Sequence, residues 1–312
     1  MEHPESRSPV ATSGAASTDV DPIELEVVER RHVAVPDFLR RPTGIIGAAI
    51  VGFMIFISIF PGFVSGLIGS SDTRDCSLAD SKARPRSGHP FGFDTQGCDL
   101  FNNVIHGARA SLQISITVIV LVVAISVVLG CAAAYFRGWV DTVVSRLSDV
   151  ILGFPIIVGL VVILQALQNR SVWNISFALV MFAWPSLTRL MRSTALPIVD
   201  LEYVRAAREM GAGPIRIIAR HVLPNSFAPV AAVSVLLIAS IIITEAALTV
   251  LGIGLQRPSI SWGVQLNSAQ GSFSSDPHLL MFPSLFLTLT VLGFVLLGEA
   301  LRNDETARRS SK

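Results

Sequence analysis

Lysine is almost missing from this chain: Lys82 and Lys312 are the only two, and a serine precedes each. A Gly-Lys-Ser/Thr phosphate-binding loop is therefore excluded, and with it an ATPase site built from this chain alone. Charge is sparse as well, at 15% of 312 residues, and a formal net charge of +1 gives no reason to expect nucleic acid as a partner. No His-Glu-x-x-His or Gly-x-Ser-x-Gly pattern lies in the apolar stretches, which argues against an intramembrane hydrolase. Nor do those stretches hold a run of Asp, Glu and His that would relay protons. Cysteine is limited to three residues. Cys131 lies in an apolar run and reads as a small hydrophobe, whereas Cys76 and Cys98 share one polar connection, where oxidation can join them. Spacing leaves the bonded and free forms open. His89, Cys98 and His106 are too widely separated to match a short-spaced metal pattern, so no metal ligands are assigned.

What is present is apolar surface: 51% of residues are hydrophobic and the mean hydropathy is +0.60, beyond a soluble domain of average usage. Six apolar regions, about 44–68, 111–135, 150–167, 175–190, 228–251 and 281–301, predict an all-α, polytopic protein with six transmembrane helices. Pro61 is expected to end or kink the first. Residues 1–41 are rich in Ser, Pro and Ala and read as a disordered tail with a lead-in, residues 42–303 as the transmembrane domain, and 304–312 as a second tail. With the N-terminus in the cytoplasm, the inside segments hold 17 of the 24 Lys and Arg and the outside segments seven. The positive-inside rule thus puts both termini and the loop 200–224 in the cytoplasm.

That loop, DLEYVRAAREMGAGPIRIIARHVLP, is the longest sharply patterned polar segment between apolar regions. Asp200 is expected to cap a helix on which Tyr203, Ala207 and Gly211 share one small, smooth face. Gly211 to Gly213 stops that helix, Pro214 opens a second, and Pro224 is expected to end it. An interfacial amphipathic helix is the plain alternative, but its apolar face should be bulky, and this one is mostly Ala and Gly. Elsewhere Arg146 and Asp149, three apart, are placed to pair, Trp139 suits a membrane-interface anchor, and Glu245 is an ionisable group within an apolar helix, either pore-lining or packed.

Ala206, Ala207, Gly211, Leu223 and Pro224 fall at the spacing A-A-x-x-x-G followed by L-P, which resembles the cytoplasmic coupling loop of permease subunits in ABC importers. Arg205 stands where that motif has Glu, and His221 where it has an apolar residue. Glu202 and Tyr203 before the alanines resemble the dipeptide/oligopeptide branch. So do three further segments: His89 to Leu112, with Phe93 and Cys98 in place of the usual Thr and Arg; Tyr135 to Pro155; and the stretch after Glu245. The resemblance spans about Arg40 to Asn303 and implies a type I importer permease fold of six crossings, in the bacterial cell membrane. It implies a homologous second permease, two ATPase subunits that carry the ATP and Mg, and an extracytoplasmic substrate-binding protein. The coupling residues it implies are Glu202, Tyr203, Ala206, Ala207, Gly211, Leu223 and Pro224, with no catalytic residue in this chain. Di- and oligopeptides are the implied substrates, with nickel, glutathione or another small solute as the alternative. An inactive scaffold of the same fold would share these motifs.

Overall fold

The computed structural model of the protein describes residues 41–67 and 75–310, with side chains to 304. The expected N-terminal tail lies outside these residues but for Arg41, whereas residues 304–310 of the expected C-terminal tail continue the last helix. The described chain is all-α, its only β-type pairings being three isolated bridges in the segment 76–99.

The first apolar region is divided into α1 (Pro42–Ile59) and α2 (Pro61–Gly66). Pro61 causes the break, because it has no N–H to give and its ring collides with the carbonyl of Ile57. α3 (Leu100–Phe136) starts well before the expected Ser111. Asp99 caps it, its Oδ1 accepting from the backbone N–H of Phe101 at 2.8 Å and of Asn102 at 3.2 Å. The extra turns bury Val104, Ile105 and Ala108 beneath Trp262, whose Nε1 donates to the Val104 carbonyl at 2.9 Å. Asn102, Asn103, His106 and Arg109 disguise this apolar stripe in the sequence.

The single span expected over 150–167 is two helices, α4 (Gly138–Leu152) and α5 (Ile156–Leu167), bent by 89°. The elbow is Gly153-Phe154-Pro155, where proline again removes a backbone donor. α6 (Val172–Val199) continues past the expected end at Leu190, through Arg192 and Pro197. α7 (Glu202–Glu209) and α8 (Pro214–Ile217) follow, and then α9 (Leu223–Val250), α10 (Trp262–Ala269) and α11 (His278–Ser310). α8 does not end before α9. The two are joined by a π-helical turn, Ile218–Val222, so that Pro214–Val250 is one run. Pro224 therefore lies inside a helix rather than terminating one. The widened turn before it accommodates the proline ring, which would otherwise meet the Arg220 carbonyl.

By length and apolarity, α1, α3, the α8–α9 run and α11 can each cross a membrane, and the bent α4–α5 pair brings the number to five. The sixth expected crossing corresponds to α6, which falls short on apolarity because Asn174, Arg189 and Arg192 interrupt it. α6 packs along α3 and its polar groups meet protein there: Thr188 donates to Ser126 Oγ at 3.1 Å, and Ser126 donates to the Trp184 carbonyl at 3.2 Å. Protein on that face relaxes the demand for a uniformly apolar helix.

One buried cluster joins α3, α5, α6 and α9, and another joins α1, the first half of α3, α9, α10 and α11. Helix α1 approaches α11 closely, since a Cβ on Gly47 would come within 2.7 Å of the Leu297 backbone nitrogen. Such small-residue contacts suit helices that gain no hydrophobic drive from each other in lipid.

Candidate coupling surface

A third, smaller cluster lies at the far end of α3 from the segment 76–99. Val204 of α7 and Ile217 of α8, both fully buried, pack there with Ala134, Ala195, Val199 and Val222. The helix-break-helix is thus rooted in α3, α6 and the π turn. Asp200 does not cap α7. It closes α6 and pairs with Arg137 at 2.6 Å, and Leu201 holds the N-cap position with its carbonyl accepting from Val204 and Arg205. The Asp200 carboxylate instead meets the Arg137 guanidinium, a bond in which both partners are charged.

The end of α7 is specified more tightly. The Gly211 N–H donates to the Arg208 carbonyl at 3.0 Å and the Ala212 N–H to the Ala207 carbonyl at 3.1 Å, the paired bonds of a Schellman ending. Gly211 has φ +84° there, a conformation that L residues adopt at a cost. Pro214 then takes the first position of α8, where its missing N–H is harmless.

Between the two helices lies an open groove of about 410 Å³, lined by Ala207, Met210, Gly211, Ala212, Arg216, Arg220 and His221. Its floor is Ala207, only 7% exposed, while Tyr203 and Gly211 of the same face are exposed. The space beside Gly211 is open. Glu202, Tyr203 and Ala206 are exposed on α7, Leu223 is half-buried, and Pro224 is exposed in the first turn of α9. Met210 in the groove lining and Ile215 beside it on α8, at 82% and 83% exposure, are bare apolar side chains. Sequence reasoning overlooked both, although each is a bulky apolar residue beside the Gly-Ala-Gly-Pro break of a polar loop. Two aromatic contacts brace the surroundings: Arg208 lies 4.8 Å over the Tyr135 ring, and Tyr203 lies 5.9 Å from the His221 ring. The groove offers apolar knobs, a small floor and the cations of Arg216 and Arg220, a surface fitted to bind protein rather than to do chemistry.

The other singled-out residues lie elsewhere. Glu245 is fully buried inside the subunit, where its carboxylate accepts from Ser111 at 3.3 Å and Thr249 at 3.0 Å. Thr249 Oγ1 in turn accepts from the Leu255 N–H at 3.2 Å, which ties α3, α9 and the following turn together. Asp149 pairs with Arg146 as expected, at 3.9 Å and with the Arg146 side chain 81% exposed, and also meets Arg189 of α6. Cys76 and Cys98 are joined by a disulfide. His89 lies 2.6 Å from Asp99 and His106 3.0 Å from the Asn102 carbonyl, so the two histidines belong to separate contacts.

Residues 126–303, more than half of the chain, match the family described as "Binding-protein-dependent transport system inner membrane component". A "Glutathione transport system permease protein GsiD" of Pectobacterium atrosepticum is 37% identical over 219 residues, covering 70% of this chain and 72% of that protein. A "Dipeptide transport system permease protein DppC" of Alkalihalophilus pseudofirmus is 33% identical over 259 residues, covering 83% and 84%. The GsiD protein of an Escherichia coli strain is 32% identical over 266 residues, covering 85% and 86%. With its apolar helices and its motifs, the chain belongs to this family: it is a multi-pass inner-membrane permease of the ABC importer type.

Proposed function

We propose that this permease forms half of a translocation pathway for short peptides and that the α7–α8 groove receives the cytoplasmic ATPase. The observation that carries the reading is the pairing of two bare apolar side chains, Met210 and Ile215, with a loop whose inner face is fully buried. Two such residues flanking the break of a loop rooted in α3, α6 and the π turn favour a docking partner. The charge asymmetry between the segments supports placing this end in the cytoplasm, where ATP is available.

The chemistry of force transfer follows from the roots. An ATPase closing on nucleotide would displace α7 and α8 together, because Val204 and Ile217 share one core. The displacement would pass along the continuous run Pro214–Val250 and along α6, and open the pathway toward the other side by rigid-body movement. Glu202, Tyr203, Ala206, Ala207, Gly211, Leu223 and Pro224 take part as the shape of the docking surface. ATP and Mg act on the partner subunits, a second permease completes the pathway, and a binding protein delivers the solute.

Dipeptides and glutathione are the substrates to test, since relatives carry the name of each. Glutathione is itself a tripeptide, so both share an α-amino group, amide bonds and a terminal carboxylate. In proteoliposomes holding the complete transporter, Met210→Glu with Ile215→Glu is expected to abolish uptake of both solutes and to remove the stimulation of ATP hydrolysis by the loaded binding protein. Unaltered stimulation in that double variant would contradict the docking assignment. Uptake of only one solute by the unmodified transporter would identify the substrate.

A further inference from the structure

Helix α4 lies against the α7-bearing half of α6, and three Asp–Arg pairs cross between them. Arg137, just before α4, meets Asp200 at the end of α6 at 2.6 Å; Asp141 meets Arg192 through both Nε and Nη2; Asp149 meets Arg189. The residues rise on one strand of the ladder, 137, 141, 149, as they fall on the other, 200, 192, 189. The helices are therefore antiparallel and in one register, and a slide of one helical turn would break every rung together. The middle rung is bidentate and the least exposed of the three, at 32% and 23% for its two side chains. Bidentate geometry fixes orientation as well as distance.

Half-exposed ion pairs add little to stability, so three of them in register are poorly explained as a stabilising device. Their positions are more telling. Asp200 directly precedes Leu201, the N-cap of α7, and α4 leads at its other end into the 89° elbow Gly153-Phe154-Pro155. Beyond the elbow α5 is seated on the opposite half of α6, where Phe182 closes over Gly159: a Cβ there would come within 2.3 Å of the ring. Apart from the ladder, α4 buries only Val144 and Ser148, and leaves Trp139, Val143 and Leu147 at least half exposed.

We propose that Asp141 and Arg192 are positioning residues for transport: with the outer rungs, they lock α4 to the α7-bearing half of α6, so that a displacement of α7 reaches the elbow and swings α5. This rests on the reading of α7 as the ATPase-docking helix. α5 also carries a large exposed apolar face, Ile156, Ile157, Val158 and Val162, and its swing would reshape the pathway on that side.

The test uses the complete transporter in nanodiscs, with Cys131 replaced, and spin-label pairs at Val143 and Ser193 (α4 to α6) and at Val143 and Val162 (α4 to α5). Distances are read with and without ATP–vanadate trapping. In the otherwise unmodified permease the α4–α6 distance is expected to stay fixed and the α4–α5 distance to shift. Asp141→Asn or Arg192→Gln should broaden the α4–α6 distribution and lose the α4–α5 shift, and the exchange Asp141→Arg with Arg192→Asp should restore both. A purely structural pair would weaken thermal stability without changing the trapped distances. Single variants that respond like the unmodified permease would overturn the lever, as would an α4–α6 distance that changes on trapping. If neither pair moves while Ile215→Cys still cross-links to the ATPase, the lever fails and the docking reading stands. If the cross-link is missing as well, both fail.

Discussion

Gly211 is the residue at which the loop proposed to receive the ATPase is most constrained by backbone rather than by contact. Its φ of +84° is required by the Schellman ending of α7, yet nothing lies within 4 Å of the place a Cβ would occupy. Backbone strain and steric bulk can therefore be separated. Gly211→Asn, which tolerates this conformation, should keep substrate-stimulated ATP hydrolysis, while Gly211→Val should cost about 1–2 kcal/mol locally and lose it. Equal activity of the two variants would show that the turn is not the determinant. Glu245 is the second residue with a defined expectation. Its two hydroxyl partners would be abandoned and a cavity opened by Glu245→Ala, at a cost of roughly 2–3 kcal/mol, whereas Glu245→Gln keeps an acceptor and should cost under ~1 kcal/mol. Thermal unfolding in detergent measures the difference. A transport defect in Glu245→Gln with an unchanged Tm would instead indicate a pathway role. Glu245 was legible in the sequence as a buried ionisable group with Thr249 one turn on, but its partner Ser111 was not, since a contact across 134 positions has no local signature.

Among the elements, α7 and its ending were readable because Gly211 and Pro214 act locally. Asp200 misled for the opposite reason: its cap-like position is local, but its real partner Arg137 comes from another element. The π turn was invisible for want of any residue type that demands it, and Pro224 argued for a stop where the helix widens and continues. α3 was underestimated because polar residues, the buried Asn102 and Asn103 among them, interrupt the apolar pattern of its first turns. The segment between α2 and α3 carries its own prediction. The disulfide from Cys76 to Cys98, 22 positions apart, closes the loop whose end abuts the α3 cap. Cys76→Ser with Cys98→Ser should lower the stability of this segment by about 3 kcal/mol in the chain-entropy account and raise its proteolytic sensitivity. Unchanged proteolysis, or thiols freely alkylated without reductant, would count against a bonded form.

For the molecule as a whole, the six apolar regions gave the all-α membrane class, and the family membership agrees with it. The number of crossings was less legible, because Asn174, Arg189 and Arg192 interrupt the apolar run of α6 and the third region folds at Pro155. Membrane orientation rests on charge, with 17 of 24 Lys and Arg on the side proposed as cytoplasmic. Cysteines placed at Ser81 and Gln270 should accept an impermeant thiol reagent from outside the cell, and one at Arg208 should not. The central claim, that the α7–α8 groove is where ATP-driven force enters this permease, is tested most directly by cross-linking Met210→Cys and Ile215→Cys to the ATPase subunit in an assembled complex that hydrolyses ATP. A cross-link from both positions and none from Ser81→Cys is the expected result. Its absence at both groove positions, in a complex that still couples ATP hydrolysis to uptake, would contradict the account.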